Sequence, residues 1–390
     1  MSTDYRLISY RLHSYLRPSK KATFIDTLPK VKFLVVGLGH IGRRHAALIV
    51  AHPGARLAGI VDPLAKDELR WDDNLPADTL YFTDLKFALQ QTDRFDVACI
   101  CTPNGLHADQ TIAALEAGLD VVIEKPLATD SASAERIKVT AEKVGCRVFG
   151  VMQNRYSPAS AWLKACLVEK RLGRVLQVHL DCFWNRDHRY YTIAPPPADP
   201  APAPVPSALL PDQNLPHPWH GNERLDGGVL YTQFAHFIDL LCWGFGEPTI
   251  HHARFANQNH RDFHAFPDSG SVQFSLPNEV MGSLNFSTAV WDQNFESTLT
   301  VIATEGTIKL GGQYMNEVRY CHAKNIAFPD LPASAPGNDY GGYTGSAANH
   351  HFVIDNVVDV RNDRAEIATP VEEGVMVVRV IEAIYKSGSE

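Results

Sequence analysis

Residues 31–151 alternate short apolar runs with stretches of helical periodicity. The apolar runs are rich in valine and isoleucine, which is typical of strands buried on both faces of a parallel sheet. The predicted strands are residues 31–36, 56–61, 79–82, 95–101, 120–123 and 146–151. The predicted helices between them include residues 84–91, 108–117 and 131–144. This alternation predicts a doubly wound α/β domain with a parallel sheet.

After residue 151 the pattern becomes that of an α+β domain. Helical patterns in this part occur at residues 158–169, 229–243, 352–360 and 370–384. Strand patterns separated by turn residues occur at 175–183, 270–276, 280–286, 297–303 and 306–310. Short strands joined by short turns predict a second domain over residues 152–390 with a large, mostly antiparallel open sheet. We interpret the proline- and alanine-rich residues 194–218 as an insertion without a packed core.

Composition narrows the class of protein. A chain of 390 residues is too long for one ordinary core, which favours two domains. The net charge of -8, without a basic stripe, argues against nucleic acid as a partner, and no apolar run is long enough to span a membrane. Seven dispersed cysteines without a CxxC pair predict a reducing compartment, so we expect a cytoplasmic protein. The spacing of His251, His252, His260 and His264 matches no ligand pattern, and we predict no metal.

Residues 1–30 form an N-terminal extension that does not fit the pattern after them. The segment is mildly basic, lacks a continuous apolar core and is not a secretory signal. Three interpretations stay open for it: a flexible arm, a strand that packs on a neighbouring subunit, and the product of a start codon placed too early.

A glycine-rich turn, GLGHIG at residues 37–42, follows the first predicted strand and precedes a helix. In that context the GxGxxG pattern binds a dinucleotide pyrophosphate at the helix N-terminus. Asp62 ends the second strand ~20 residues later, where a carboxylate accepts from the ribose hydroxyls and repels a 2′-phosphate. We therefore predict NAD rather than NADP; the alternative is that Asp62 is a turn residue before Pro63. The predicted contacts from the turn are Gly37, Gly39, His40 and Ile41.

Two further predicted strands end in polar residues at the same edge of the sheet. Strand 120–123 ends in Glu124, Lys125 and Pro126, where open α/β sheets bind ligands, and the proline biases Lys125 toward an extended backbone. Strand 95–101 is followed by residues 102–107, although a capping or surface role for His107 is equally open. The further residues predicted to face the cofactor are Thr102, Asn104, His107, Glu124, Lys125 and Gln153.

The second domain carries candidate substrate-binding residues. Residues 184–191, WNRDHRYY, suit a nucleotide or a sugar by stacking and charge pairing, and a domain-interface patch is the equal alternative. The helical pattern 229–243 follows a glycine pair and places Thr232, His236, Asp239 and Trp243 on one stripe. The predicted substrate-binding residues are Arg155, Tyr156, Arg186, Tyr191, Trp219, Thr232, Gln233, Asn349 and His350.

Three motifs together resemble the GFO/IDH/MocA oxidoreductases, and the resemblance extends over nearly all of residues 31–388. They are GLGHIG at 37–42, EKP at 124–126 and DGGVLYTQFAHFIDLLCW at 226–243. The resemblance implies a Rossmann domain followed by a domain with a large open sheet, and it implies that Lys125 and His236 lie near the nicotinamide and the substrate. In many members an aspartate precedes the histidine by four residues, whereas this chain has Thr232 there, followed by Gln233.

The stretches FWNRDHRYY, WHG at 219–221 and GGVLYTQ resemble the branch that includes the UDP-N-acetylglucosaminuronate dehydrogenases; the proline- and alanine-rich insertion does not. We therefore expect NAD-dependent oxidation of a ring hydroxyl to a ketone on a nucleotide-linked sugar. Lys125 is expected to polarise the oxygen and His236 to carry the proton, with the reverse order open. The alternatives are a free-sugar or inositol dehydrogenase, an NAD-dependent glycoside hydrolase and a non-catalytic NAD-binding sensor.

We also expect a homodimer or homotetramer. The later strands alternate apolar residues such as Val272, Phe274, Leu284 and Phe286 with polar ones. The chain's own helices can cover one face of that sheet, while the other face has no obvious cover. A second copy of the chain is therefore predicted to pack on it.

Overall fold

A computed structural model describes residues 29–66, 68, 75–192, 219–340 and 343–389 of the chain. Nearly all of the N-terminal extension and the whole insertion at 194–218 lie outside these residues, so the predictions for them remain untested. None of the described helices is long and apolar enough to cross a membrane.

The described residues form two sheets with helices packed on them. The strands of the first sheet are β1 (Val31–Val36), β2 (Ala55–Val61), β3 (Leu80–Phe82), β4 (Val97–Ile100), β5 (Asp120–Ile123) and β6 (Val148–Gly150). The strands of the second are β7 (Val175–Phe183), β8 (Thr249–Ala256), β9 (Ser269–Leu276), β10 (Val280–Ser287), β11 (Glu296–Ala303), β12 (Gly306–Gly311), β13 (Glu317–Ala323) and β16 (Gly388–Ser389). A separate hairpin pairs β14 (Gly337–Asp339) with β15 (Thr344–Ala347).

The helices follow the predicted pattern closely. They are α1 (His40–Ala51), α2 (Leu85–Ala88), α3 (His107–Glu116), α4 (Ser131–Val144), α5 (Pro158–Val168), α6 (His188–Thr192), α7 (Glu223–Asp226), α8 (Ala235–Phe245), α9 (His350–Arg361) and α10 (Val371–Ser387). The stretch predicted as one helix over 229–243 begins instead with a π turn, Leu230–Phe234, and becomes α-helical only from Ala235.

The first sheet has the strand order β3-β2-β1-β4-β5-β6, and every described pair in it is parallel. This is the order of the Rossmann fold, in which the chain reverses direction across the sheet between β1 and β4 and leaves a crevice for ligands. The predicted doubly wound sheet is thereby confirmed. The alternation of apolar runs located it correctly because strands buried on both faces need apolar residues throughout.

Helices cover both faces of the first sheet. The core on one face contains Phe33 and Ile49 together with Val353 and Val357 from α9. At the end of α9, Arg361 Nη1 donates to Asp120 Oδ2 at 2.8 Å. A helix from the last part of the chain thus packs on the first sheet. The predicted boundary at residue 151 therefore separates the two domains in sequence, but α9 from the second part contributes to the core of the first domain.

The second sheet has the order β13-β12-β11-β7-β10-β9-β8-β16, and only the β7–β10 and β8–β16 pairs among its described strands are parallel. The predicted mostly antiparallel sheet is confirmed. Its inner side chains include Leu284 and Phe286, which are buried with Phe234 from the π turn. On the outer face, Asn285 Nδ2 donates to Asp181 Oδ1 at 2.9 Å, in a row of polar side chains that remain partly exposed. That this face pairs with a second copy stays a prediction.

A buried ion pair fixes the first residues of the second domain to two of its helices. Arg155 lies in the 3₁₀ turn Gln153–Tyr156 that follows β6, and its Nε donates to Asp239 Oδ2 of α8 at 2.7 Å. A second N–H of Arg155 donates to the other oxygen of Asp239, and a third donates to Glu373 of α10. Burial raises the pKa of Asp239, although the guanidinium opposes this. Such a bidentate pair is stable in the interior only while both partners are present.

We predict that Asp239→Asn lowers the free energy of unfolding by about 3 kcal/mol, because Arg155 is left buried without its main counterion. Denaturant unfolding followed by fluorescence measures the change. The control is Asp78→Asn, which removes an exposed ion pair with Arg56 and should cost less than about 1 kcal/mol. An Asp239→Asn protein as stable as the control would show that the pair does not stabilise the second domain.

Candidate active site

A cavity of about 550 Å³ opens between the two domains at the carboxyl ends of the Rossmann strands. This is the position in which open α/β sheets bind ligands. The cavity is lined by all of the residues predicted to contact the cofactor, which are Gly37, Gly39, His40, Ile41, Asp62, Thr102, Asn104, His107, Glu124, Lys125 and Gln153. The structure therefore brings the predicted cofactor set together at one site.

The glycine turn fits a dinucleotide pyrophosphate. Gly37 has φ +87°, and a Cβ there would lie 2.9 Å from the carbonyl oxygen of Cys101. A Cβ on Gly42 would lie 1.8 Å from the carbonyl oxygen of Gly37, so the turn can close only without a side chain. A Cβ on Gly39, in contrast, would meet no atom within 4 Å. Gly39 thus leaves open space at the N-terminus of α1, where the pyrophosphate of a dinucleotide binds.

Asp62 is held in place at the end of β2. Its Oδ2 accepts from the backbone N–H of Leu38 at 2.7 Å, and its Oδ1 accepts from that of Leu64 at 3.1 Å. Burial raises the pKa of Asp62, while these two N–H groups oppose the shift. Each carboxylate oxygen has a further lone pair, so both can accept from the hydroxyls of an adenosine ribose. The residues present therefore fit NAD.

Lys125 reaches from the end of β5 into the second domain. Its Nζ donates to the carbonyl oxygen of Thr232 at 2.7 Å, within the π turn Leu230–Phe234. Single π turns occur frequently at functional sites. The hydroxyl of Thr232 donates to Asp226 Oδ1, and the π turn separates Thr232 from the α-helix that carries His236. Burial lowers the pKa of Lys125, and the charge of Arg186 lowers it further, against Glu124 and Asp226.

Glu124 is hydrogen-bonded to His45, and His350 lies close to the same carboxylate oxygen. Its Oε1 lies 2.9 Å from His45 Nε2 and 3.5 Å from His350 Nε2. Burial alone would raise the pKa of Glu124, but His350 and His45 hold it well below the usual value. This is the only His/carboxylate group with metal-ligand spacing in the described part of the chain. The Nδ1 atoms of both histidines lack hydrogen-bond partners there, whereas metal-bound imidazoles usually have them, so we assign the group to holding Glu124 ionised.

His236, on the first turn of α8, is a neutral base in this environment. Its Nε2 lies 3.2 Å from Gln153 Nε2, and its Nδ1 has no hydrogen-bond partner among the described residues. Burial lowers the pKa of His236 well below the usual histidine value, and the charge of Lys125 adds to the effect. The imidazole is therefore unprotonated at neutral pH, and a bound hydroxyl must displace the Gln153 amide from Nε2 before it can transfer a proton there.

The predicted substrate-binding residues divide into two groups. Those that line the cavity are Arg186, Trp219, Thr232, Gln233 and His350. Those that do not line it have partners within the protein. Arg155 is paired with Asp239, Tyr156 stacks on Phe352, the hydroxyl of Tyr191 bonds His264, and Asn349 Nδ2 donates to the carbonyl oxygen of Gln153. Direct contact of this second group with a substrate stays a prediction that the cavity does not support.

Sequence reasoning missed the contribution of the β14–β15 hairpin. The ring of Tyr340 lies 5.9 Å from that of His40 in the glycine turn, and the ring of Tyr343 lies 4.9 Å from that of Tyr190. The hairpin thus crosses the cleft from the second domain to the first. The signal in the sequence was a pair of tyrosines flanking glycines at 340–343, which alone does not show where the hairpin packs.

Arg186 contributes a buried charge to the cavity wall. Its N–H groups donate to Gln233 Oε1 at 2.6 Å, Asn294 Oδ1 at 3.1 Å and the backbone carbonyls of Asn185 and Thr344. The guanidinium also lies within cation–π distance of three aromatic rings, those of Trp184, Tyr190 and Tyr343. No acidic side chain of the described residues forms an ion pair with it. Because buried charges are normally paired, the site lacks one negative charge.

The architecture and the site define a dinucleotide-binding oxidoreductase: a Rossmann domain whose ligand crevice is closed by a second, α+β domain. Comparison with known proteins agrees. Residues 31–151 match the model of the oxidoreductase family with an NAD-binding Rossmann fold, and residues 161–309 match the GFO/IDH/MocA C-terminal domain. The chain belongs to the GFO/IDH/MocA family, and its first domain is an NAD-binding Rossmann domain.

Similar solved structures include the WlbA dehydrogenase from Bordetella pertussis in complex with NADH and UDP-GlcNAcA, with a TM-score of 0.75. That match has 27% sequence identity and covers 92% of this chain and 96% of the other. Among curated proteins, inositol 2-dehydrogenase from Streptomyces avermitilis is 34% identical over 150 residues, which is 37% of this chain and 42% of that enzyme. The scyllo-inositol 2-dehydrogenase (NAD(+)) of Bacillus subtilis is 25% identical over 78% of this chain and 80% of its own length.

We predict that alanine at two glycines of the turn impairs two different properties, NAD binding at Gly39 and stability at Gly42. Gly39→Ala should leave the stability of the protein unchanged but weaken NAD binding at least tenfold, because the new methyl group occupies open space needed by the pyrophosphate. Gly42→Ala should lower the melting temperature, because its Cβ clashes with the carbonyl of Gly37. Thermal unfolding and fluorescence titration with NADH measure the two effects. Unimpaired NADH binding by Gly39→Ala would contradict the placement of the pyrophosphate.

Proposed function

We propose that the chain oxidises a secondary hydroxyl on the ring of an acidic, nucleotide-linked sugar to a ketone, with NAD as the hydride acceptor. The proposal depends above all on one observation: Lys125 and His236, from different domains, line the same cleft as a buried arginine without a carboxylate partner. The charge of Lys125 is close enough to lower the pKa of His236. Their proximity supports a joint role at one substrate oxygen.

The oxidation requires a proton to leave the hydroxyl oxygen and a hydride to leave the carbon as the C–O bond becomes C=O. When bound, NAD supplies the carbon that accepts the hydride. Neutral His236 takes the proton, since its low pKa keeps it unprotonated before the reaction. A protonated Lys125 has three N–H donors, of which the Thr232 carbonyl uses one, so it can also donate to the substrate oxygen and stabilise its developing negative charge.

Arg186 favours an acidic sugar. The described residues around this guanidinium provide no negative charge. An anionic group of a bound ligand would give Arg186 a counterion inside the cavity, away from water. The WlbA structures, which were solved with UDP-GlcNAcA, cover more than nine tenths of this chain and support the same class of substrate. The aromatic residues that surround Arg186, Trp184 and Tyr190 among them, suit the apolar face of a sugar ring.

A neutral polyol is the second candidate substrate. The inositol dehydrogenases among the relatives support it, because one of them matches over 78% of this chain. Such a substrate would use Lys125 and His236 in the same way but would leave Arg186 without a counterion. The two candidates therefore differ in the charge of the substrate and not in the chemistry of the hydroxyl.

The test of the proposed function is a substrate screen in which NADH formation is followed by absorbance. UDP-GlcNAcA, the corresponding neutral UDP-sugars, free sugars and inositols are supplied with NAD. Net NADH formation with a sugar or polyol supports a dehydrogenase. Release of free sugar from a glycoside without net NADH would identify a hydrolase instead, and NAD binding without turnover of any compound would favour a sensor.

We predict that Lys125→Ala and His236→Ala each lower kcat by about 10²–10⁴, because each removes a positioned acid or base. The double variant should lose less than the product of the two single losses, since the groups act on one oxygen. NADH affinity should change little, because neither residue is part of the glycine turn. The matched control is Lys138→Ala on the surface of α4, with parent-like kcat. Near-parent turnover by Lys125→Ala on the true substrate would leave the turn at residues 124–126 with a structural role only.

A further inference from the structure

Four side chains of the second domain form a continuous series of hydrogen bonds along the cavity wall. Arg186 Nε lies 2.6 Å from Gln233 Oε1, Gln233 Nε2 lies 2.7 Å from the hydroxyl of Tyr190, and that hydroxyl lies 2.8 Å from His220 Nδ1. Of these four residues, only Arg186 and Gln233 are in the predicted substrate-binding set. The series of hydrogen bonds ends at His220, which lines the cavity beside Trp219. The two ring centres are 4.0 Å apart.

Arg186 determines the donor and the acceptor of the first hydrogen bond in this series, and the later bonds follow from it. A guanidinium can only donate, so the oxygen of Gln233 must accept from Arg186, and its NH₂ group must therefore point at Tyr190. The tyrosine hydroxyl accepts from that NH₂ group, and the only other described partner of the hydroxyl is His220 Nδ1. The hydroxyl proton has no other described acceptor, so Tyr190 donates it to Nδ1, and the proton of the imidazole lies on Nε2. The amide orientation and the tautomer follow from the donor-only guanidinium.

The surrounding charges keep this imidazole neutral. Burial lowers the pKa of His220 to about 3, and the charges of Arg186 and Lys125 add to the effect. The nearest carboxylate is that of Asp226, whose Oδ2 lies 3.9 Å from His220 Nδ1, which is too far for a hydrogen bond. Protonation would also place a second hydrogen between Nδ1 and the tyrosine hydroxyl. His220 is therefore a fixed donor at Nε2 across the physiological pH range.

We propose that His220 is a specificity-determining residue whose Nε2–H donates to an oxygen of the bound sugar, and that Arg186, Gln233 and Tyr190 hold it in the donating tautomer. No described residue accepts from this N–H, and His220 lies on the cavity surface. A site that offers a donor but no acceptor at this point selects a hydroxyl, carboxylate or carbonyl oxygen and disfavours an ammonium substituent. This inference rests on the proposed function only in that the bound ligand is a sugar.

The tautomer can be tested without any substrate. Long-range proton–nitrogen NMR spectra of protein labelled with nitrogen-15 histidine distinguish the two tautomers, and the signals of His220 are those lost in His220→Gln. We expect the Nε2–H form, without protonation down to about pH 5. Tyr190→Phe should introduce the Nδ1–H form, whereas Tyr191→Phe, which removes the adjacent hydroxyl bonded to His264, should leave the spectrum of His220 unchanged. An Nδ1–H form in the parent, or titration near pH 6.5, would overturn the inference.

The contact with the sugar needs a binding measurement. The dissociation constant of UDP-GlcNAcA is measured by calorimetry in the presence of NADH for the parent, His220→Phe and His220→Gln. We expect about tenfold weaker binding for His220→Phe, the usual cost of one hydrogen bond, and near-parent binding for His220→Gln, whose amide can donate from a similar position. Equal losses in both variants, or no loss in either, would show that His220 does not bond the sugar. NADH affinity and the melting temperature of each variant serve as controls for folding.

If the parent protein does not bind UDP-GlcNAcA, the same three proteins are titrated with the compound found in the substrate screen. A failure of the proposed function would appear as parent protein that binds and converts no sugar. A failure of this inference would appear as equal dissociation constants of the sugar for the parent protein and for His220→Phe. The two failures are therefore distinguishable.

Discussion

A charged hydrogen bond crosses the cleft between the domains, in which the ammonium group of Lys125 donates to the backbone carbonyl of Thr232. The lysine is carried by a strand end of the Rossmann domain, and the carbonyl belongs to a π turn that begins a helix of the other domain. A hydrogen bond from a charged donor is worth more than a neutral one, and here it also brings Lys125 and His236 to one cavity. The ion pair of Arg155 with Asp239 stabilises the interior of the second domain, directly after the last strand of the Rossmann sheet.

The electrostatics of the cavity follow from burial. Lys125 has Glu124 and Asp226 near it, and Glu124 is itself kept ionised by His45 and His350. Arg186 has only neutral acceptors and aromatic rings among the described residues. His236 and His220 are neutral because burial and the nearby cations oppose their protonation. The site therefore combines a neutral base, a fixed donor and one uncompensated positive charge, which is an arrangement suited to an acidic sugar.

Local sequence patterns predicted most of the fold, and the residues that they assigned to the cofactor lie together in one cavity. The strand before Gly37, the acid at Asp62 and the turn at Glu124 each lie within a few residues of the element that positions them, so their place in the cavity could be inferred from spacing. The partners of Arg155 could not, because Asp239 and Glu373 lie far along the chain and only tertiary packing brings them together. The π turn at Leu230–Phe234 has no signature in hydrophobic periodicity, and neither has the return of α9 to the first sheet.

The central claim is that the unpaired charge of Arg186 selects an acidic sugar. The most direct measurement is kcat/KM for UDP-GlcNAcA and for its neutral counterpart, in which a CH₂OH group replaces the carboxylate, at the same ionic strength with saturating NAD. A hydrogen bond that involves a charged group contributes about 1.5–3 kcal/mol, so we predict a preference of about 10- to 100-fold for the acid. Equal values, or faster oxidation of the neutral sugar, would contradict the claim.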